Sequence, residues 1–164
     1  MSRTTIAALL LVAVLAPVRQ ARAGDGCKPV YGFYSSQQQA CDAPFCTAGH
    51  LIGGIQGDYT FVQTAALPAT AIGGDPVLAN ALFYVGESDV ALKGGDHVHA
   101  SDSGVIDLPP PLGTGKQAAL LIVHGGTGAY AAATGFLQLR GTLEFAAGGT
   151  IAVSGDFFGQ ICTP

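Results

Sequence analysis

Tryptophan is absent from this 164-residue chain, and only 11% of its residues are charged, whereas 49% are hydrophobic. The lack of tryptophan argues against a site that stacks on carbohydrates. The low charge and high hydrophobic content exclude an intrinsically disordered protein, because such chains cannot bury enough apolar surface to fold. The chain is instead long enough for one domain with a substantial core.

Basic residues are also scarce. The chain has seven lysines and arginines, and three of them, Arg3, Arg19 and Arg22, lie in the N-terminal segment. The other four stand against eleven acidic residues, which corresponds to a net charge of −7. This charge excludes a nucleic-acid partner and disfavours anionic membranes, since both are bound through basic patches.

Several catalytic signatures are missing as well. The sequence contains no G-x-S-x-G elbow, no P-loop and no C-x-x-C pair. The glycines at 125–128 are followed by Ala129 and Tyr130 without a βαβ pattern, so they do not form a dinucleotide-binding loop. We therefore predict no cofactor.

The N-terminus has the pattern of a secretory signal peptide. Arg3 precedes an apolar run over Ile6–Leu15, and Ala21–Ala23 (ARA) forms a small-residue cleavage site. The apolar run is too short to span a bilayer, and no later run is long enough. These features predict a signal peptide over 1–23, a secreted or periplasmic protein, and no membrane association after cleavage.

From Cys46 onward, apolar runs alternate with glycine pairs every 20 to 30 residues. Period-2 alternation is clear where Leu137, Leu139 and Leu143 oppose Gln138 and Arg140, and it predicts an antiparallel β-sandwich or β-barrel. The predicted strands are Thr47–Ile52, Gln56–Ala66, Asn80–Leu92, His97–Ala100, Gly104–Leu108, Gln117–His124, Phe136–Phe145 and Thr150–Cys162. The run Pro109–Pro111 predicts a loop. Residues 24–45 are polar and predict an N-terminal extension stapled by cysteines before a domain over 46–164.

Four cysteines, an even number, predict two disulfides in an exported chain. The favoured pairing is Cys27–Cys41 with Cys46–Cys162, because the first and last strands of a closed barrel are neighbours. The alternative is Cys41–Cys46 with Cys27–Cys162. A zinc site is a further alternative, although the absence of a C-x-x-C pair argues against it.

The run Gly125–Gly135 (GGTGAYAAATG) reads as a glycine-punctuated corner between two strands. It resembles the G-G-T-G-x-[YF]-x-x-A-x-G signature of the allene-oxide-cyclase-like and dirigent-like β-barrels. Cys46–Tyr59 is similar to the opening hairpin of secreted bacterial members, and Asp102–Asp107 is similar to a turn of this family. The matching positions are turn and packing residues.

The resemblance implies a single closed antiparallel barrel of about eight strands over 46–164, with an apolar cavity. It further implies a small apolar ligand and cofactor-free cyclisation, isomerisation or control of coupling stereochemistry. Homo-oligomers are common among the proteins it resembles. A non-enzymatic carrier, or a structural barrel filled with side chains, is the alternative function.

Polar residues that continue apolar faces are the candidate site residues. Gln63 continues the Tyr59–Phe61 face, Glu87 continues the face of Phe83 and Val85, and His124 continues that of Leu120 and Ile122. If these faces point inward, Glu87 is the acid/base residue, because burial raises the pKa of a carboxyl group. The remaining lining residues are Tyr59, Gln63, Phe83 and His124. Alternatively, a bulge at Gly86 turns Glu87 outward and His124 lies in solvent.

A metal site is the third functional hypothesis. His97 and His99 are two residues apart on a predicted strand, so their imidazoles share one face. Asp102 is the candidate third ligand. The competing interpretation is an exposed polar edge strand.

Overall fold

The computed structural model describes residues 26–72, 80–108, 113–145 and 149–164. The predicted signal peptide over 1–23 and the predicted loop at Pro109–Pro111 lie outside the described residues. Within the described ranges, no helix is long and apolar enough to cross a membrane.

Eight antiparallel strands form a closed barrel in which each strand pairs with the next and the last pairs with the first. The prediction of a single closed antiparallel barrel of eight strands is confirmed. The strands are β1 (Cys27–Gln39), β2 (Cys46–Gly53), β3 (Gly57–Pro68), β4 (Ala81–Leu92), β5 (His97–Asp107), β6 (Thr114–Gly126), β7 (Thr134–Phe145) and β8 (Ile151–Cys162).

Two strand assignments need correction. Most of the predicted N-terminal extension is β1, which pairs with both β2 and β8 and closes the barrel. Its glutamine-rich end obscured the alternation by which Val30, Tyr34 and Ser36 are buried. The two short strands predicted over 97–108 are one continuous strand, β5. The prediction of two strands was wrong because the buried Asp102 interrupts the apolar pattern of β5.

The lumen has an apolar end and a polar end. The apolar end lies where β1 begins and β8 ends, and the corner between β6 and β7 packs Ala133 and Tyr130 against it. Its buried side chains include Leu51, Ile55, Val98, Ala133, Leu137, Phe157 and Ile161. The apolar face predicted for β7 therefore points into the barrel.

The glycine-rich corner after β6 packs against the turn between β4 and β5. The His97 backbone N–H donates a hydrogen bond to Thr127 Oγ1 over 2.8 Å, and the Ala129 N–H donates to Asp96 Oδ2 over 3.1 Å. A Cβ atom at Gly126 would collide with the carbonyl oxygen of His97. The glycine is thus required by close backbone approach.

The disulfides are Cys27–Cys162 and Cys41–Cys46, so the favoured pairing was wrong and the alternative is correct. Cys27 and Cys162 face each other in the β1–β8 ladder. The expectation that a disulfide joins the first and last strands was sound, but the first strand begins at Cys27 instead of Cys46. Cys41 and Cys46 close the short connection between β1 and β2.

We predict that Gly126→Ala lowers the free energy of unfolding by about 2 kcal/mol or more, because overpacking forces the backbone apart. Gly94→Ala is the matched control, since a Cβ atom there meets nothing within 4 Å. Chemical denaturation of both variants measures the effect. Equal stabilities would show that the corner does not depend on close packing.

We also predict that the two disulfides stabilise the barrel unequally. They span 135 and 5 residues of sequence separation. Loop-closure entropy gives about 5 kcal/mol for the long loop and about 2 kcal/mol for the short one. Replacing Cys27 and Cys162 together by alanine should therefore lower the thermal stability more than replacing Cys41 and Cys46 together. The reverse order would contradict this explanation.

Candidate functional site

The polar end of the lumen contains a buried carboxylate held by two hydroxyl groups. Asp102 on β5 accepts a hydrogen bond from Ser88 Oγ on β4 over 2.9 Å and one from the Tyr59 hydroxyl on β3 over 3.2 Å, both through Oδ2. Because inward-facing residues of three adjacent strands supply the cluster, the barrel wall itself fixes its geometry. We name Asp102, Ser88 and Tyr59 the lumenal acid cluster.

Asp102 is only 3% exposed. Burial raises the pKa of its carboxyl group to about 6, and the hydrogen bonds from Ser88 and Tyr59 oppose that rise only in part. Its other oxygen, Oδ1, is buried without a hydrogen-bond partner among the described residues. The carboxyl group therefore changes protonation close to neutral pH and keeps one oxygen for a further contact.

A second polar group lies beside the lumenal acid cluster. Gln117 Nε2 donates to the Tyr84 hydroxyl over 2.6 Å, and the Tyr34 hydroxyl donates to Gln117 Oε1 over a longer 3.5 Å. Burial raises the pKa of Tyr34, Tyr59 and Tyr84 well above that of an exposed tyrosine, with the Asp102 charge as the next cause. These phenols therefore stay neutral and can donate hydrogen bonds.

Aromatic rings leave little open space around these groups. A cavity of about 30 Å³ remains, lined by Asp102 and Tyr59 of the lumenal acid cluster, by Gln63 and Gln117 and, among the apolar residues, by Phe45, Ile106 and Leu143. This volume is enough for about one or two water molecules. The lumen is therefore packed, with a small polar cavity beside the acid.

Two of the predicted lining residues, Tyr59 and Gln63, do line this cavity. Three others were assigned to the wrong face. Tyr84 and Ser88 are buried in the lumen, so Phe83 and Glu87, which directly precede them on the strand, point outward. His124 also lies on the outer surface, with Nε2 3.3 Å from Glu87 Oε2, and the two side chains are 49% and 59% exposed.

The outward direction of these residues has a clear cause. β4 carries Phe83 and Val85 on its outer face but Gly86 and Ser88 on its inner face, so hydrophobicity alone selects the wrong side. Gly86 is needed inside because a Cβ atom there would collide with the ring of Phe61. The barrel wall thus separates the Glu87 side chain from the lumen, and Glu87 cannot act as the acid/base residue there.

The predicted metal ligands are also divided between the two faces. His97 and His99 lie outside, with their Nδ1 atoms 2.8 and 2.7 Å from the two carboxylate oxygens of Asp89. Asp102 points into the lumen, so the pleat excludes it as a third ligand. In the described ranges, no three histidine, cysteine or acidic residues are placed to hold a metal ion.

Sequence reasoning did not place Ser88 or Tyr84 in the lumen, and it did not identify Asp102 as a buried acid. Their signal is the strict alternation along both strands: Tyr84, Gly86, Ser88 and Val90 on β4, then Val98, Ala100, Asp102 and Gly104 on β5. Counting positions from the buried valines would have found them. A polar residue within an otherwise small and apolar face is the feature to look for.

We predict that Asp102 makes stability depend on pH. Its pKa is raised from 3.8 to about 6 on folding. The folded protein therefore keeps a proton that the unfolded chain releases, so Asp102 contributes stability at low pH that is lost as the pH rises through about 6. Relative to the unsubstituted protein, Asp102→Asn should gain about 2 kcal/mol between pH 4 and pH 7.

Urea denaturation across this pH range measures the difference. Asp107→Asn removes an exposed acid from the same strand and controls for the change in net charge. Parallel stability curves for Asp102→Asn and the unsubstituted protein would contradict the raised pKa.

No protein-family model, no curated protein and no solved structure matches the chain. The resemblance to allene-oxide-cyclase-like and dirigent-like barrels thus depends on the sequence motifs alone, of which Gly125–Gly135 is the strongest, and stays a prediction. The closed eight-stranded antiparallel barrel is what the structure establishes.

Proposed function

We propose that the barrel binds a small, mainly apolar molecule at the polar end of its lumen, with Asp102 contacting an oxygen of that molecule. The observation that supports this most is the buried Asp102 Oδ1, which has no partner among the described residues and belongs to a cavity-lining side chain. A carboxyl group buried with an unsatisfied oxygen costs free energy. A barrel selected only for stability would fill the same position with an apolar side chain.

The proposed reaction is a cofactor-free isomerisation or cyclisation. Asp102 would transfer a proton to or from the substrate, because a pKa of about 6 makes both protonation states accessible near neutral pH. Tyr84 would hold a substrate oxygen as a neutral donor, because its hydroxyl accepts from Gln117 and keeps its own proton free. Confinement of a flexible substrate in the lumen would lower the barrier further.

Ligand entry requires side chains at the polar end to move, since the cavity of about 30 Å³ holds no organic molecule. Phe45 is the side chain best placed to do so. It is the last residue of the disulfide-closed connection between β1 and β2, and its carbonyl oxygen accepts a hydrogen bond from the Gln63 N–H over 2.9 Å. Its ring lines the cavity.

A second candidate function is a non-enzymatic one, a carrier or a surface protein whose barrel serves as a packed scaffold. The small size of the cavity favours it directly. In this alternative, the lumenal acid cluster would be a purely structural hydrogen-bond network. Both functions agree with an exported protein, because two disulfides are typical of an oxidising compartment.

We predict that Phe45→Ala creates a ligand site. Removing this ring enlarges the cavity towards the roughly 150 Å³ that accommodates benzene in other protein interiors. Ligand-observed NMR with benzene, phenol and small cyclic ketones should detect binding to Phe45→Ala, with oxygen-containing ligands bound more tightly because they reach Asp102. The matched control is Phe158→Ala, which removes an exposed ring from the outer surface.

Asp102→Asn in the Phe45→Ala background separates the two functions. If Asp102 serves the ligand, this change abolishes the preference for oxygen-containing ligands, and it should slow any turnover by about 100-fold or more. A folded Phe45→Ala protein that binds none of these ligands would favour the packed scaffold and contradict the lumenal site.

A further inference from the structure

A groove of about 650 Å³ lies outside the barrel over β8, β1, β2 and β3. Most of its lining side chains point away from the lumen and carry hydroxyl, amide, imidazole or carboxylate groups. They include Ser35, Gln37, His50, Asp58 and Thr60. The groove is therefore a polar depression, separated from the lumenal acid cluster by the barrel wall.

Three of these residues form a row across adjacent strands. Ser35 on β1 stands directly opposite His50 on β2, and His50 stands directly opposite Asp58 on β3. Directly opposed side chains on one face have Cβ atoms about 5 Å apart. His50 and Asp58 are hydrogen-bonded, whereas Ser35 makes no hydrogen bond to His50 among the described contacts, so the serine must turn towards the ring when a substrate binds. Strand register alone thus brings a hydroxyl, an imidazole and a carboxylate together in the order serine, histidine, aspartate.

The hydrogen bonding within this row has a chemical direction. Asp58 Oδ1 lies 2.8 Å from His50 Nδ1, so the carboxylate accepts a hydrogen bond from the Nδ1–H group and orients the ring. Nε2 is then the free basic nitrogen, available to take a proton from Ser35. His124 differs, because its Nε2 is directed at Glu87. Among the described strand pairs, His50 alone of the four histidines has a serine opposite it.

We propose that Ser35, His50 and Asp58 form a nucleophilic site that transfers acyl groups from small esters. Ser35 Oγ attacks the ester carbonyl while its proton passes to His50 Nε2. The bond to the alkoxy oxygen then breaks, and His50 returns the proton to the departing alcohol. Water, deprotonated by His50, cleaves the acyl–serine bond, releases the acid and restores Ser35.

The surroundings set the substrate class and limit the rate. β1 and β2 each pair with a strand on both sides, so their backbone N–H groups are used in hydrogen bonds between strands. The charge on the tetrahedral intermediate must therefore be stabilised by side chains. The Gln37 amide and the Thr60 hydroxyl line the same groove. His50 and Asp58 are 66% and 76% exposed, which weakens electrostatic stabilisation. These features fit a slow hydrolysis of esters that join a short acyl chain to a polar alcohol.

The test uses the full mature protein with p-nitrophenyl acetate as substrate and a fluorophosphonate as the covalent probe. Peptide mapping should locate the probe on Ser35. Ser35→Ala should abolish labelling, and Ser35→Ala and His50→Gln should each lower the esterase rate by about tenfold or more. Thermal melting establishes that each variant folds.

Control variants come from a similar set on the other side of the barrel. Ser101 donates to Glu87, and Glu87 also contacts His124, so here the serine meets the carboxylate instead of the imidazole. Ser101→Ala and His124→Gln should leave labelling and rate unchanged. A probe that labels another serine or none, or a rate that falls equally in His124→Gln and His50→Gln, would overturn the proposal. Asp102 variants should not affect this rate, so the lumenal function and this one fail independently.

Discussion

The width of an eight-stranded barrel is the constraint on which this structure depends. Such a lumen is just wide enough for side chains to fill it or for one small ligand, so where it is packed a large ring on one strand needs a missing side chain on another. A Cβ atom at Gly104 would collide with the Tyr84 hydroxyl group, and one at Gly86 with the Phe61 ring. The high glycine content of the chain therefore has a packing role, in addition to its role in turns.

This exchange of glycine for aromatic bulk explains why the lumen is nearly full and also polar at one end. The rings of Tyr34, Tyr59 and Tyr84 occupy space as apolar side chains do, but each brings a hydroxyl group with it. Those hydroxyl groups make it feasible to bury Asp102 and to half-bury Gln117, which an apolar lumen would exclude. The raised pKa of Asp102 is a direct consequence of that burial.

The pleat of the barrel wall keeps two kinds of chemistry apart. The described histidines all lie on the outer surface, and each has a carboxylate oxygen within 3.3 Å of a ring nitrogen. Among the described residues, the ionisable carboxyl group buried in the lumen is that of Asp102. Neighbouring positions such as Ser101 and Asp102 therefore belong to different environments although they are consecutive in sequence. Proton transfer in the lumen and nucleophilic chemistry outside can be examined separately for this reason.

The amino-acid sequence by itself determined the period of the strands, the all-β class and the inward face of β7, because leucines and polar side chains alternate along that strand. It could not decide which face of β4 is inside. Phe83 and Val85 outweigh Gly86 and Ser88 in hydrophobicity, yet closure of the barrel requires the smaller residues within. The cysteine partners and the neighbours of Asp102 were likewise decided by tertiary structure, since both depend on register between strands distant in sequence, and local patterns carry no record of that register.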